Sequence, residues 1–234
     1  MVIWGAIVLA LAAGVIFLFF FSAAFVVKDL HVADAKGELA TSVEELADIP
    51  RGRPLARVSE AKINERVQAD LRVARVSVER QWPSSVTLRV VQREPALVLQ
   101  QGGSMWLADV DGVVFDEVGK APGKLPVVTV PTKPTELSAA TVQGLVQLWA
   151  TRPKANVLGG KLSTPALSRT GSVTMRVGQV TIVWGPPVEA EKKWKVVSAL
   201  LAQDSIDPSG VIAQKIDVTL PDTPIVTGIP PATG

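Results

Sequence analysis

The side chains best able to do chemistry are few, and their spacing completes no reactive constellation. The one histidine, His31, would have to serve any nucleophile–base–acid triad. No Gly-x-Ser-x-Gly elbow accompanies it and nothing nearby completes a base–orienter pair, so it reads as a partly exposed strand residue. Cysteine is absent, which excludes thiolate metal sites, Cys nucleophiles and disulfides. The stretch Gly119-Lys120-Ala121-Pro122-Gly123-Lys124-Leu125 approaches a phosphate loop, but its glycine spacing is one short. Leu125 also stands where a Ser or Thr would hold magnesium. Asp109-Val110-Asp111-Gly112 opens like a calcium loop yet lacks the third acidic position and the closing Glu. A hairpin turn at Asp111-Gly112 accounts for it. The carboxylate pairs Glu44/Glu45 and Asp109/Asp111 lack the clustered polar residues of a sugar-cleaving cleft. No catalytic residue, cofactor or metal is expected, and an enzyme is the weakest reading.

If side-chain chemistry is not the function, surfaces and location must be. None of the 24 basic and 22 acidic residues lies before Lys28. Residues 3–27 have Ser22 as their only polar side chain, and as a helix they would extend about 37 Å against a hydrocarbon core of about 30 Å. A signal peptide cut near Ser22-Ala23-Ala24 is the rival, but it calls for a shorter apolar core with a basic residue ahead of it. The segment therefore reads as a retained lipid-bilayer anchor with Trp4 at one interface. Lys28, just beyond it, leaves the orientation unset by charge.

Beyond the anchor, residues 28–50 carry net charge −4, residues 51–94 net +5 and residues 95–234 net +1. The basic middle could face an anionic surface, but its charges alternate with apolar residues, as on solvated strand and helix faces. Five of six Phe lie in the apolar segment and Tyr is absent, so aromatics do not interleave with the basic residues. No nucleic-acid partner is expected.

Periodicity supplies the elements. Val27, Leu30 and Val32 begin an extended run, and Ser42 with Glu45 forms a capping box for a short helix. Pro50, Gly52 and Pro54 end it. Ser59 caps a second helix with Ile63, Val67 and Leu71 on one face. Two alternating strands follow, through Val76 and Val78 and through Val86, Leu88 and Val90, joined at Trp82-Pro83. After Pro95 the texture turns β-rich. Hairpins form at Gly102-Gly103, Asp111-Gly112 and Gly178-Gln179, helices start at Ser138 and over 188–201, and a last strand passes through Ile216, Val218 and Leu220. The second helix turns Trp194, Val197 and Leu201 inward and Lys192, Lys193 and Lys195 outward. Proline and glycine dominate 221–234, which reads as a mobile tail.

Three stretches in this order resemble the FtsQ/DivIB family of bacterial cell-division proteins. They are Val76-Ser77-Val78-Glu79-Arg80-Gln81-Trp82-Pro83 with Val86 to Val90, Trp106 to Asp109 with Asp111 to Phe115, and Ile216-Asp217-Val218 with Pro221 to Val226. The resemblance implies an α+β architecture. A single N-terminal transmembrane helix (3–27) leads into a small POTRA-type β-α-α-β-β domain (28–95). A mixed β-rich domain with two helices (96–221) and a flexible C-terminal tail (222–234) follow. It further implies a non-enzymatic scaffold at the division septum, anchored in the cytoplasmic membrane with its domains outside. Its implied partners are FtsB/DivIC-like and FtsL-like single-pass coiled-coil proteins, and septal wall-synthesis proteins indirectly. The family often places Glu-Arg before the boundary proline, where this chain has Gln92-Arg93.

The strand over 215–220 is the expected partner-binding element, with Lys215, Ile216, Asp217, Val218, Thr219, Leu220, Asp222, Ile225 and Val226 as its contacts. A partner segment would add to an unpaired edge, its backbone supplying affinity and its alternating side chains selectivity. The residues alone leave open that this strand is interior, and the resemblance favours the edge. Trp82, Pro83, Asp111 and Gly112 are expected to be structural. A POTRA-bearing protein assisting polypeptide or polymer export is the second reading, disfavoured by the single helix and the lack of repeated POTRA units.

Overall fold

Twenty residues without a charged side chain, Val2–Phe21, wind into helix α1. The computed structural model describes residues 2–21 and 23–229, and the chain divides into two units, residues 1–93 and 94–234. Ser22, inside the expected span, and residues 230–234 of the expected tail lie outside the described residues. Counted over the described residues alone, no helix is long and apolar enough to cross a membrane. The apolar run also ends sooner than hydropathy suggests. Ala23–Phe25 is a short 3-10 turn and Val26 bridges to Pro54. Val27 is buried, its N–H donating to the Arg53 carbonyl at 2.8 Å and its carbonyl accepting from Gly52 at 2.9 Å. Valine suits a lipid-facing surface and a protein core equally, so hydropathy merges the two.

The first unit follows the expected order: β1 (Asp29–Ala33), α2 (Glu38–Ala47), α3 (Glu60–Val67), β2 (Val73–Gln81) and β3 (Ser85–Gln92). The sheet order is β1-β3-β2, with β1 parallel and β2 antiparallel to β3. Val43, Ala47, Ile63 and Val67 of the helices close over Val76, Val86, Leu88 and Val90. The capping box does not form. Helix α2 starts at Gly37, whose φ of 59° favours glycine, so Ser42 sits inside the helix and donates to Asp70 Oδ2 at 2.7 Å. Leu71, expected on the inner face, is exposed because α3 ends at Val67.

The second unit is built on one nine-stranded sheet, ordered β12-β11-β10-β9-β8-β7-β4-β5-β6. Its strands are β4 (Leu97–Gln101), β5 (Ser104–Ala108), β6 (Val114–Val118), β7 (Val127–Thr129), β8 (Ala166–Leu167), β9 (Val173–Val177), β10 (Val180–Gly185), β11 (Gln214–Asp217) and β12 (Ile225–Thr227). Helices α4 (Ala139–Ala150), α5 (Ala155–Leu158) and α6 (Ala190–Leu201) complete it. Ser138 caps α4 as expected, accepting from the Thr141 N–H at 3.2 Å. Alternation along β9 and β10 buries Val173, Met175, Val177, Val180, Ile182 and Trp184 in one core with Val142, Leu145, Trp194 and Val197 of the helices. Trp184 and Trp194 meet at 4.8 Å between ring centroids, and Trp194 Nε1 donates to the Leu148 carbonyl at 2.8 Å.

Candidate functional site

The chemically suggestive residues of the sequence are occupied structurally. His31 lies exposed on β1, in register with Thr87. Asp109 is 4 % exposed, and its Oδ1 accepts from the N–H groups of Asp111 at 3.0 Å and Val113 at 2.8 Å. The carboxylate thereby shapes the turn in which Gly112 adopts φ 80°, and a Cβ at Gly112 would collide with the Ala139 backbone. Residues 119–125 form the loop between β6 and β7. Among the described residues no group of three His, Asp or Glu is placed to hold a metal.

The strand expected at the sheet edge is interior. β11 covers Gln214–Asp217 and pairs in parallel with β10 on one side and antiparallel with β12 on the other. Val218, Thr219 and Leu220 lie past its end, Val218 fully buried. The edge belongs instead to β12, inside the stretch expected to be a mobile tail, and among the described residues no strand pairs with its outer side. Three residues bracketed by Pro224 and Gly228 are too short and too punctuated to signal a strand by periodicity.

The register settles which groups of β12 face outward. The Val218 N–H donates to the Val183 carbonyl at 2.8 Å, so the backbone groups of Ile216 and Val218 point toward β10. Those of Lys215 and Asp217 then point toward β12, because successive residues of a strand direct their backbone groups to opposite sides. Lys215 is in register with Thr227 and Asp217 with Ile225. Val226, opposite Ile216, therefore turns its N–H and carbonyl to the open edge. Its half-buried side chain packs on the core, and Ile225 (61 % exposed) and Thr227 lie on the other face.

Helix α6 holds this edge in place through two adjacent lysines. Lys192 Nζ reaches Asp222 Oδ2 at 2.7 Å, tying down the connection between β11 and β12. Lys193, expected outward, is 0 % exposed. Its ammonium donates to the carbonyls of Trp184 at 2.8 Å and Pro186 at 3.0 Å, where β10 ends. Burial lowers its pKa from the usual lysine value, against the opposing charges of Glu189 and Asp217. A buried lysine on a mostly polar helix face has the same sequence signal as its exposed neighbours, which is why the pattern missed it. Gly185 (φ 74°) packs against Thr219, and Gly228 (φ 83°) against Ala213.

The opposite edge of the sheet, β6, carries Asp116 and Glu117, charges that discourage strand addition. Residues 223–229 carry no charge, and Leu220, Ile225 and Ile229 are exposed around β12.

Residues 25–93 match the family described as POTRA domain, FtsQ-type. Residues 96–228 match Cell division protein FtsQ/DivIB, C-terminal. The chain belongs to the FtsQ/DivIB family of cell division proteins. Its similarity to the Cell division protein FtsQ of Streptomyces bingchenggensis is 28 % identity over 93 % of this chain and 82 % of that protein. With the FtsQ of Streptomyces collinus it is 27 % over 97 % and 88 %, and with that of Mycobacterium leprae 29 % over 86 % of this chain but 55 % of the longer relative. Family membership assigns the chain to cell division, and the β-rich region that carries the β12 edge is the part covered by the FtsQ/DivIB match.

Proposed function

We propose that this chain is a membrane-anchored, non-enzymatic scaffold of the division machinery that captures a partner segment along β12. The observation that carries this reading is the uncharged outer edge of β12, with the Val226 N–H and carbonyl directed away from β11. An extended segment can pair there, setting its side chains alternately beside Val226 and beside Ile225 and Thr227. Of the expected contacts, Ile225 and Val226 make the docking strand and Leu220 its apolar rim. Lys215, Ile216, Asp217, Val218, Thr219 and Asp222 support it. The occupants proposed from the family resemblance are the small single-pass coiled-coil division proteins of the FtsB/DivIC and FtsL types, with septal wall-synthesis proteins linked through them. On this reading the apolar segment 3–27 anchors the chain in the cytoplasmic membrane, with both units on the outer side at the septum.

A photo-crosslinking residue at Ile225 of the full-length chain, expressed in its own cells, tests this. The expected adducts are single-pass coiled-coil division proteins, identified by mass spectrometry. Adducts dominated by translocon or channel components would replace this reading with the export one.

A further inference from the structure

Residues 51–57 hold Arg51, Arg53 and Arg57 and no acidic residue. The fold brings this loop to the exit of α1. Val26 bridges to Pro54, Val27 exchanges backbone hydrogen bonds with Arg53 and Gly52, and α1 packs against the short 3-10 turn Leu55–Arg57. Leu55, fully buried, pins the loop to the core. The turn after β2 reaches the same place. The Ser84 carbonyl accepts from the N–H groups of Lys28 at 2.8 Å and Asp29 at 3.3 Å. Trp82, 46 % exposed, meets the ring of Phe25 edge-on at 5.6 Å.

We infer that Arg51, Arg53 and Arg57, with Lys28 and Trp82, form a collar that binds anionic phospholipid headgroups. This rests on reading α1 as the membrane helix. On that reading the roughly 30 Å of α1 lies in the hydrocarbon core, and the residues that follow it enter the headgroup layer, roughly 5–7 Å deep on each side. Segments packed directly on residues 25–28 lie at that depth. Tryptophan rings are favoured there, and arginine is attracted by anionic headgroups, its planar fork matching two phosphate oxygens. Acidic side chains in these segments include Asp29, next to Lys28 in sequence, and Asp48, which lines a small cleft with Arg53, Lys62 and Arg66. The collar stays basic on balance. Along 51–94 as a whole the charges alternate with apolar residues, but the fold concentrates these three at the helix exit. The collar docks the first unit on the bilayer in whichever leaflet it faces.

The test compares hydrogen exchange of the full-length chain in phosphatidylcholine vesicles and in vesicles containing phosphatidylglycerol. The expected result is that amides of residues 51–57 exchange about five-fold more slowly with the anionic lipid. That difference disappears in an Arg51→Gln/Arg53→Gln chain and persists in an Arg75→Gln chain, with β2 and β3 amides unchanged as the measure of folding. Equal exchange in both lipids, with the chain still floating on vesicles, overturns the collar while leaving the anchor standing. A chain that floats with neither vesicle overturns the anchor and the collar with it.

Discussion

The N–H of Val218 donates to the carbonyl of Val183 at 2.8 Å, and this bond places Val218 and Val226 in opposite roles. Val218 carries the pairing with β10 one residue past β11, whereas Val226 turns its backbone to the open edge. Val218→Pro therefore breaks an interior bond in a fully buried position, and leaving the Val183 carbonyl unpaired should cost about 1–3 kcal/mol. Val226→Pro removes only an edge donor, which a sheet tolerates. Thermal melts should show a large loss for the first variant and a small one for the second. A pull-down with the cross-linked partner should fail for both. Undiminished capture by a folded Val226→Pro chain would rule out strand addition at β12.

Lys193→Met should destabilise the second unit by roughly 1–3 kcal/mol, because the carbonyls of Trp184 and Pro186 lose a buried donor. Its pH dependence has a definite sign. Burial holds the folded-state pKa below the ordinary lysine value. Between that lowered value and about 10.4 the unfolded chain binds more protons, so this group's contribution to stability rises with pH and levels off above the window. Melts across the alkaline range should show that slope in the parent chain and its loss in Lys193→Met.

The sequence carried the first unit well because β2 and β3 alternate over nine and eight residues and its helices expose one apolar stripe. Val76, Val78, Val86, Leu88 and Val90 all fall where alternation placed them. It carried the site only partly. The region around 215–226 was marked and a strand was read through Ile216, but β12 is only three residues long, below the length at which a period of two can be read. Which of the two is the edge depends on a parallel pairing with β10 across the whole of α6. That pairing is a long-range fact with no local signature. Local chemistry misled at Ser42, where a cap signal was present but Gly37, with its positive φ, started the helix earlier.

Trp82 was expected to serve the folding of the first unit, yet nearly half of its surface is exposed. Trp82→Ala should lower stability by no more than about 1 kcal/mol, the scale of one aromatic edge contact. The measurement is a melt of the detergent-solubilised chain. A loss of several kcal/mol would restore Trp82 to a core role and weaken its place in the lipid collar.

Acid should reveal a different dependence in the first unit. Asp70 is bound by Arg72 through Nε at 2.9 Å and a terminal nitrogen at 2.7 Å, and by Ser42 Oγ at 2.7 Å. The Arg72 guanidinium dominates, Ser42 assists, burial opposes, and the carboxyl falls from 3.8 to about 2. A carboxylate more acidic in the folded chain stabilises it above the unfolded value and loses that contribution as pH falls toward the folded one. After solvent screening of this ion pair the amount is on the order of 1 kcal/mol, lost between roughly pH 4 and pH 2. Exchange rates of β2 and β3 amides should register this loss in the parent chain, and Asp70→Asn should be flat over the same interval. Arg72→Gln should return the Asp70 titration toward the ordinary range, read by carboxyl NMR shifts. An unchanged midpoint would show that Arg72 is not what holds the carboxylate ionised.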